Sequence, residues 1–219
     1  MTDYHVARKK MVAEQMTARG VQDPRVLDVM GRIPRHEFVD PGMARQAYED
    51  HPLNIGLKQT ISQPYMVAFM TEALELKGSE SVLEIGTGCG YQTAVLCELC
   101  RHIFSIERLS SLSNRARRVL YHLGYINFSL RIGDGTLGWP EKAPFDAILV
   151  TAGATEIPQA LLKELKEGGR LVMPRGGAES QELVRVRKKR GRFTEEFLGD
   201  CRFVKLVGEH GWREEREVG

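Results

Sequence analysis

The sequence predicts an α/β fold: a mainly parallel sheet with helices on both faces, antiparallel C-terminal strands at its end and an N-terminal helical extension before it. Three observations predict it. From about residue 64, short apolar runs alternate with helical patterns; a glycine-rich turn follows the first apolar run; and the last part alternates charged with apolar residues. The 219 residues read as a single domain, with 1–56 as the extension, 57–208 as the core and 209–219 as a frayed tail.

The extension reads as short helices. Val12 and Met16 repeat at i, i+4, and Gly20 can end that helix. Asp23-Pro24 offers a cap and a first-turn proline for the next, which buries Val26, Leu27 and Met30. Pro34, Pro41-Gly42 and Pro52 then punctuate a loop-rich connection, and Leu57 to Met66 reads as a polar loop. A helix starts at Pro64, with Val67, Met70 and Leu74 on one face before Gly78.

The core continues in repeating units. Ser81 to Ile85 reads as a buried strand, a glycine turn leads into a helix carrying Ala94, Val95 and Leu99, and a strand through Ile103, Phe104 and Ile106 stops at Glu107. The next helix spaces Leu112, Ala116, Val119, Leu120 and Leu123 before Gly124, and Asn127 to Ile132 is a strand. Asp146 to Thr151 is another; Pro158 opens a helix that Gly168-Gly169 closes, and Arg170 to Met173 is the next strand. Glu182 to Lys188 alternates as an antiparallel strand toward a turn at Arg190-Gly191-Arg192.

Composition excludes several classes. With 31 Lys plus Arg against 29 Asp plus Glu, the net charge of +2 gives no field able to hold nucleic acid by net charge alone, and 42% hydrophobic residues exclude disorder. No stretch approaches the roughly 20 apolar residues that span a bilayer, and Met1 to His5 lacks the apolar core of a signal peptide. The expectation is a cytoplasmic monomer with no membrane or nucleic-acid partner.

Glu84-Ile85-Gly86-Thr87-Gly88-Cys89-Gly90 sits between strand and helix, where doubly wound sheets bind nucleotide-like ligands. Its G-x-G-x-G spacing departs from the dinucleotide fingerprint, and a carboxylate just before the loop repels a pyrophosphate. Glu84 can instead attract an ammonium, which favours S-adenosylmethionine, with S-adenosylhomocysteine as the product. Glu107, about twenty residues on, can accept from ribose hydroxyls, and Gly133-Asp134-Gly135 can place an acceptor beside an adenine amino group. An isolated glycine loop can be a mere tight turn; three strand ends with such groups on one edge argue for a ligand.

The segment after the fourth strand of the core narrows the methyl acceptor. Val150-Thr151-Ala152-Gly153-Ala154 stands where amino-group methyltransferases of bases carry an Asp/Asn/Ser-Pro-Pro-aromatic motif, and no Pro-Cys pair offers the nucleophile for pyrimidine C5 methylation.

Gln59-Thr60-Ile61-Ser62-Gln63-Pro64-Tyr65-Met66, the Val82 to Ala94 run, and Gly133-Asp134-Gly135 with Ala143 to Ile148 together resemble the bacterial protein-L-isoaspartate O-methyltransferase family. The resemblance runs from about residue 9 to 207 and includes Arg32-Ile33-Pro34-Arg35 and Glu156-Ile157-Pro158. It implies a Rossmann-like S-adenosylmethionine-dependent methyltransferase fold and methylation of the α-carboxyl of L-isoaspartyl residues in damaged proteins and peptides, the ester then collapsing through a succinimide toward aspartate. It also implies Ser62 as the active-site serine and Thr60 and Ile61 in the same substrate loop. The implied cofactor contacts are Glu84, Gly86, Thr87, Gly88, Glu107, Gly133, Asp134, Gly135 and Gln181, with no metal. Met173 to Gly177 and Phe203-Val204-Lys205-Leu206 depart from the family pattern, which leaves open whether Arg175 and Lys205 select acidic peptides.

The chemistry suits this assignment. A carboxylate with a reference pKa of roughly 3.5 to 4 is ionised at neutral pH and needs no general base, so catalysis reduces to alignment and exclusion of water. Ser62 can hold the carboxylate by one neutral hydrogen bond, although a serine before Pro64 can equally cap the helix.

Cys97 and Cys100 read as buried thiols on a helix, since no second C-x-x-C completes a metal site. Arg185 to Arg192 could be an RNA strip but reads better as a solvated hairpin. The competing functions are an RNA-directed methyltransferase and a non-catalytic module that keeps the cofactor pocket.

Overall fold

The computed structural model describes residues 4–214. Helix α1 (Tyr4–Lys10) runs on through a π-helical stretch, Met11–Met16, and a 3₁₀ turn that Gly20 ends at φ +93°. Helix α2 (Pro24–Arg32) starts as expected, the Asp23 side chain accepting the Arg25 N–H and Pro24 occupying the first turn. Glu72 Oε1 accepts the N–H groups of Gln22 and Asp23, both at 2.6 Å, and so ties this start to helix α3 (Pro64–Ala73). Val26, Val29 and Met30 are the buried face of α2, Leu27 lying at its margin.

Between them the expected loop is partly a hairpin. Strands β1 (Leu53–Gly56) and β2 (Gln59–Ile61) pair Leu53 with Ile61 and Asn54 with Thr60. Alternation explains it: Leu53, Ile55 and Ile61 are buried, while Asn54 and Thr60 face outward. The turn residues Leu57 and Lys58 both lie at positive φ, which costs roughly 1–2 kcal/mol per residue, and neither is the Gly or Asn that marks such a turn in sequence.

The core alternates as predicted: β3 (Ser81–Ile85), α4 (Tyr91–Cys97), β4 (His102–Glu107), α5 (Ser110–His122), β5 (Phe128–Ile132) and β6 (Phe145–Val150). Helix α6 (Gln159–Glu164) ends before the expected glycines. Strand β7 (Leu165–Gly176) begins at once, because Leu165 already pairs with Phe145 across a bulge, and Gly168-Gly169 lies inside the strand. Strands β8 (Gln181–Lys189) and β9 (Arg192–Cys201) form the antiparallel hairpin, turning through Arg190 and Gly191.

The sheet order is β5-β4-β3-β6-β7-β8-β9, parallel from β5 to β7 and antiparallel beyond. Both faces are covered. Val82, Ala147, Leu149 and Val172 join α3, α4 and the extension in one cluster, while Leu83, Ile85, Ile148, Val150, Leu171 and Met173 join α6 in another. The extension therefore packs continuously with the core. The strand order reverses between β3 and β6, so their carboxyl ends open the crevice where such sheets bind ligands.

Two surface features differ from simple expectations. Arg185 and Arg187 both bond Glu75, Arg185 also bonds Glu196 and the Ala73 carbonyl, and Lys188 donates to the Leu165 carbonyl, so the basic strip clasps the end of α3. The tail is not frayed from residue 209. Glu209 and His210 donate their N–H groups to Asp134 Oδ2 and Thr136 Oγ1, and Trp212 Nε1 donates to the Gly153 carbonyl; residues 215–219 lie outside those described.

A candidate active-site cleft at the sheet switch point

A cleft of about 850 Å³, including its mouth, opens at the carboxyl ends of β3, β4 and β6. Its floor is the glycine loop. Gly86, at φ +97°, lies so close to Thr151 that a Cβ there would collide with Oγ1, which itself donates to the Ile85 or Gly86 carbonyl. At Gly135 a Cβ would strike Ile85 Cγ2, so the third strand end can approach the first only as glycine.

Glu107 lines this cleft at the end of β4. Its Oε2 accepts the Gly88 N–H at 2.8 Å and its Oε1 the Leu109 N–H at 3.0 Å. Each oxygen keeps a free lone pair, suited to hydroxyl donors. Glu107 is the carboxylate among the lining residues, where Arg108 and Lys205 supply the cations.

Glu84 lies behind the loop rather than in the wall. It is fully buried, and its Oε2 accepts hydrogen bonds at 2.6 Å from both Thr93 Oγ1 and Ser105 Oγ. Since Ser105 gives its proton to Glu84, Thr87 Oγ1 donates to Ser105 at 2.6 Å, so a hydroxyl chain links the loop to the carboxylate. Its Oε1 has no hydrogen-bond partner among the described residues. Burial pushes the Glu84 pKa up to about 7, and the two hydroxyls hold it lower than burial alone would.

One wall comes from the hairpin and the residue that follows it: Gln59, Thr60, Ile61 and Ser62 all line the cleft, with Tyr91 and Gln92 of α4 beside them. The helix-cap alternative for Ser62 is not realised, because Gln63 is the N-cap residue of α3 and no side-chain cap bond forms. Two arginines fix the hairpin from behind. Arg115 Nη2 donates to the Ile55 carbonyl at 2.8 Å, and Arg35 Nη2 to the Ser62 carbonyl at 2.7 Å.

The structure thus gathers Thr60, Ile61, Ser62, Gly86, Thr87, Gly88, Glu107 and Gly135 around one space. Gly133, Asp134 and Gln181 are not in its wall. Asp134 caps the turn at Gly135–Leu137, accepting from Thr136, and holds Glu209 N–H on its other oxygen. Gln181 grips the backbone of Phe203 in both directions, Oε1 accepting its N–H at 2.8 Å and Nε2 donating to its carbonyl at 3.2 Å. It thereby sets the Phe203–Val207 segment, which does line the cleft, and whose Val204 carbonyl and Leu206 N–H pair with Gly153. Arg175 pairs with Glu182 and Glu195 and is not a lining residue, whereas Lys205 is.

Sequence reasoning assigned no role to Thr151 or Arg108, and marked Phe203-Val204-Lys205-Leu206 only as a departure from the family pattern that could bear on peptide charge. Thr151 carried one signal, its place at the end of a strand beside the glycine loop. Cys97 and Cys100 are buried free thiols whose pKa values burial drives upward. Among the described residues no cluster of His, Cys, Asp and Glu could hold a metal ion, and no helix is long and apolar enough to cross a membrane.

Comparisons with known proteins point to one family. Residues 7–211 match the family model described as protein-L-isoaspartate(D-aspartate) O-methyltransferase. A Syntrophus aciditrophicus protein named protein-L-isoaspartate O-methyltransferase is 59% identical over 97% of this chain and 99% of its own length. One of the same name from Trichlorobacter lovleyi is 54% identical, again over 97% and 99%. A solved structure of a protein so named superposes with a TM-score of 0.83 at 31% identity, covering 93% of this chain and 67% of that one. A Plasmodium falciparum structure described as this type of methyltransferase in complex with S-adenosyl-L-homocysteine gives 0.80 at 26%, covering 91% and 98%.

Proposed function

This chain belongs to the protein-L-isoaspartate(D-aspartate) O-methyltransferase family, and from that premise we propose that it methylates the α-carboxyl of L-isoaspartyl residues in damaged proteins and peptides. The observation that supports this most directly is the placing of the Thr60-Ile61-Ser62 wall across one cleft from the glycine loop and Glu107. A carboxylate presented to that wall faces the cofactor side.

The residues fit S-adenosylmethionine. When bound, it supplies an electrophilic methyl group carried on a sulfonium. Glu107 would hold the ribose hydroxyls on its spare lone pairs, and the glycine loop leaves room for close backbone approach. Glu84 has one unpartnered oxygen, which suits it to the ammonium end, an electrostatic attraction even from behind the loop. Gly86, Thr87, Gly88 and Gly135 shape the cradle, while Gly133, Asp134 and Gln181 support it by holding the turn and the Phe203 segment.

Catalysis here is positioning. The substrate carboxylate is already ionised, and a neutral Ser62 hydroxyl orients it without the loss of nucleophilicity that a clamped cation would cause. Tyr91, Ile61 and Leu206 help keep water from the reacting atoms. Four free cysteines suit a reducing compartment, and we take the protein to act in the cytoplasm as a monomer.

Chromatography of an isoaspartyl peptide through repeated incubation tests the repair role. Conversion to succinimide and then aspartyl peptide, only with S-adenosylmethionine present, is expected; an isoaspartyl pool that persists would contradict it.

A further inference from the structure

Arg35 has no solvent exposure and no ion-pair partner among the described residues. An arginine so placed is unusual, because desolvating a guanidinium without a carboxylate is costly. Burial accordingly pulls its pKa below the usual range. Its hydrogen bonds go to two carbonyls, Nε to Ala47 at 2.6 Å and Nη2 to Ser62 at 2.7 Å, and its Nη1 is buried without a partner. The guanidinium also sits over the ring of Tyr91, 4.7 Å from its centroid. Ser62 and Tyr91 both line the cleft, so the charge stands directly behind the wall against which the substrate carboxylate is proposed to rest.

We propose that Arg35 is a positioning residue for methyl transfer: it fixes Ser62 through its carbonyl and supplies, from behind the wall, the positive potential that draws the substrate carboxylate to it. The inference rests on the reading of Ser62 as part of the substrate site. Distance from the nucleophile is the point of the arrangement. A cation bonded to the attacking oxygen would lower its reactivity, whereas one a peptide group away attracts the anion and leaves its lone pairs free. Low dielectric around a fully buried charge preserves that attraction. Ala47 ties the other edge of the guanidinium to the extension, so the extension sets where Ser62 stands.

The test is steady-state kinetics on an isoaspartyl peptide for Arg35→Gln and Arg35→Lys, with calorimetric binding of S-adenosylhomocysteine to each. Arg35→Gln is expected to raise KM about tenfold, Arg35→Lys to recover part of that, and both to bind S-adenosylhomocysteine within about twofold of wild type. An unchanged KM in folded Arg35→Gln, no recovery in Arg35→Lys, or cofactor affinity that falls in step with kcat/KM, overturns the proposal. A measurement on the unaltered protein is independent of folding: the α-carboxamide counterpart of the peptide, as a competitive inhibitor, should bind at least about tenfold more weakly than the carboxylate. Equal binding overturns the electrostatic role. Ser62→Ala run alongside separates the two readings: unchanged turnover there removes the site assignment itself, while a loss there with unchanged KM in the Arg35 variants removes only Arg35.

Discussion

Glu107 holds Gly88 by its backbone, the Gly88 N–H donating to Oε2 at 2.8 Å, so the acid at the end of one strand fixes the glycine loop at the end of its neighbour. The carboxylate is at once part of the cleft wall and the clasp that sets the loop. Glu107→Gln keeps the shape but replaces one acceptor oxygen with a donor that cannot receive Gly88 or Leu109. Calorimetry should show S-adenosylhomocysteine binding about tenfold weaker or worse, as expected for loss of a charge-assisted bond. Wild-type affinity would rule out Glu107 as a ribose contact.

Glu84 makes stability depend on pH in a definite direction. Its folded pKa of about 7 lies above the ordinary 4.5, so between those values the folded state holds the proton more tightly. Stability from this group is present in full below pH 4.5 and is lost as pH rises through about 7. Relative to Glu84→Gln, the wild-type protein should therefore lose about 3 kcal/mol across that window and then level off. Denaturant midpoints measured from pH 4.5 to 8 read this directly, and parallel curves for the two proteins would contradict it.

Ser62→Ala removes the one hydroxyl proposed to touch the substrate carboxylate. Turnover should fall about tenfold with cofactor affinity unchanged, the signature of a lost interaction on the substrate side. Because no side-chain cap bond exists at α3, thermal stability should move little, and a large fall in Tm would point back to a structural role.

Peptide charge preference should track Lys205 and not Arg175. Lys205 lines the cleft, with its Nζ 5.2 Å from the Trp212 ring centroid, while Arg175 is held by Glu182 and Glu195 away from the wall. In a series of isoaspartyl peptides with acidic or basic flanks, Lys205→Ala should narrow the spread of kcat/KM and Arg175→Ala should leave it as it was. Equal spreads in all three proteins would remove Lys205 as a selector.

The repeating core is legible in the sequence because each strand and helix announces itself locally, by a buried apolar run or a 3.6-residue stripe with its cap. The glycine loop, Glu107 and Gly135 are legible for the same reason: topology places strand ends together once the strands are known. The hairpin at Leu53–Ile61 escapes sequence reading because its turn residues, Leu57 and Lys58, adopt left-handed backbone without the residues that mark it. Helix α6 is shorter than its pattern predicts because Gly168-Gly169 mimics a helix end inside a bulged strand. Resemblance puts Gln181 and Asp134 in contact with the cofactor, yet their side chains are taken up by Phe203 and by Thr136 and Glu209. Arg35 falls in the Arg32-Ile33-Pro34-Arg35 stretch of the resemblance, but its role is not legible locally, since its partners are carbonyls 12 and 27 residues away.

Methyl transfer from labelled S-adenosylmethionine to matched peptides that differ only in isoaspartate against normal aspartate, with a structured RNA in parallel, separates isoaspartyl methylation from its alternatives. Base-labile label on the isoaspartyl peptide alone is the predicted result. Equal label on both peptides, label on the RNA only, or none anywhere while S-adenosylhomocysteine still binds, would contradict it.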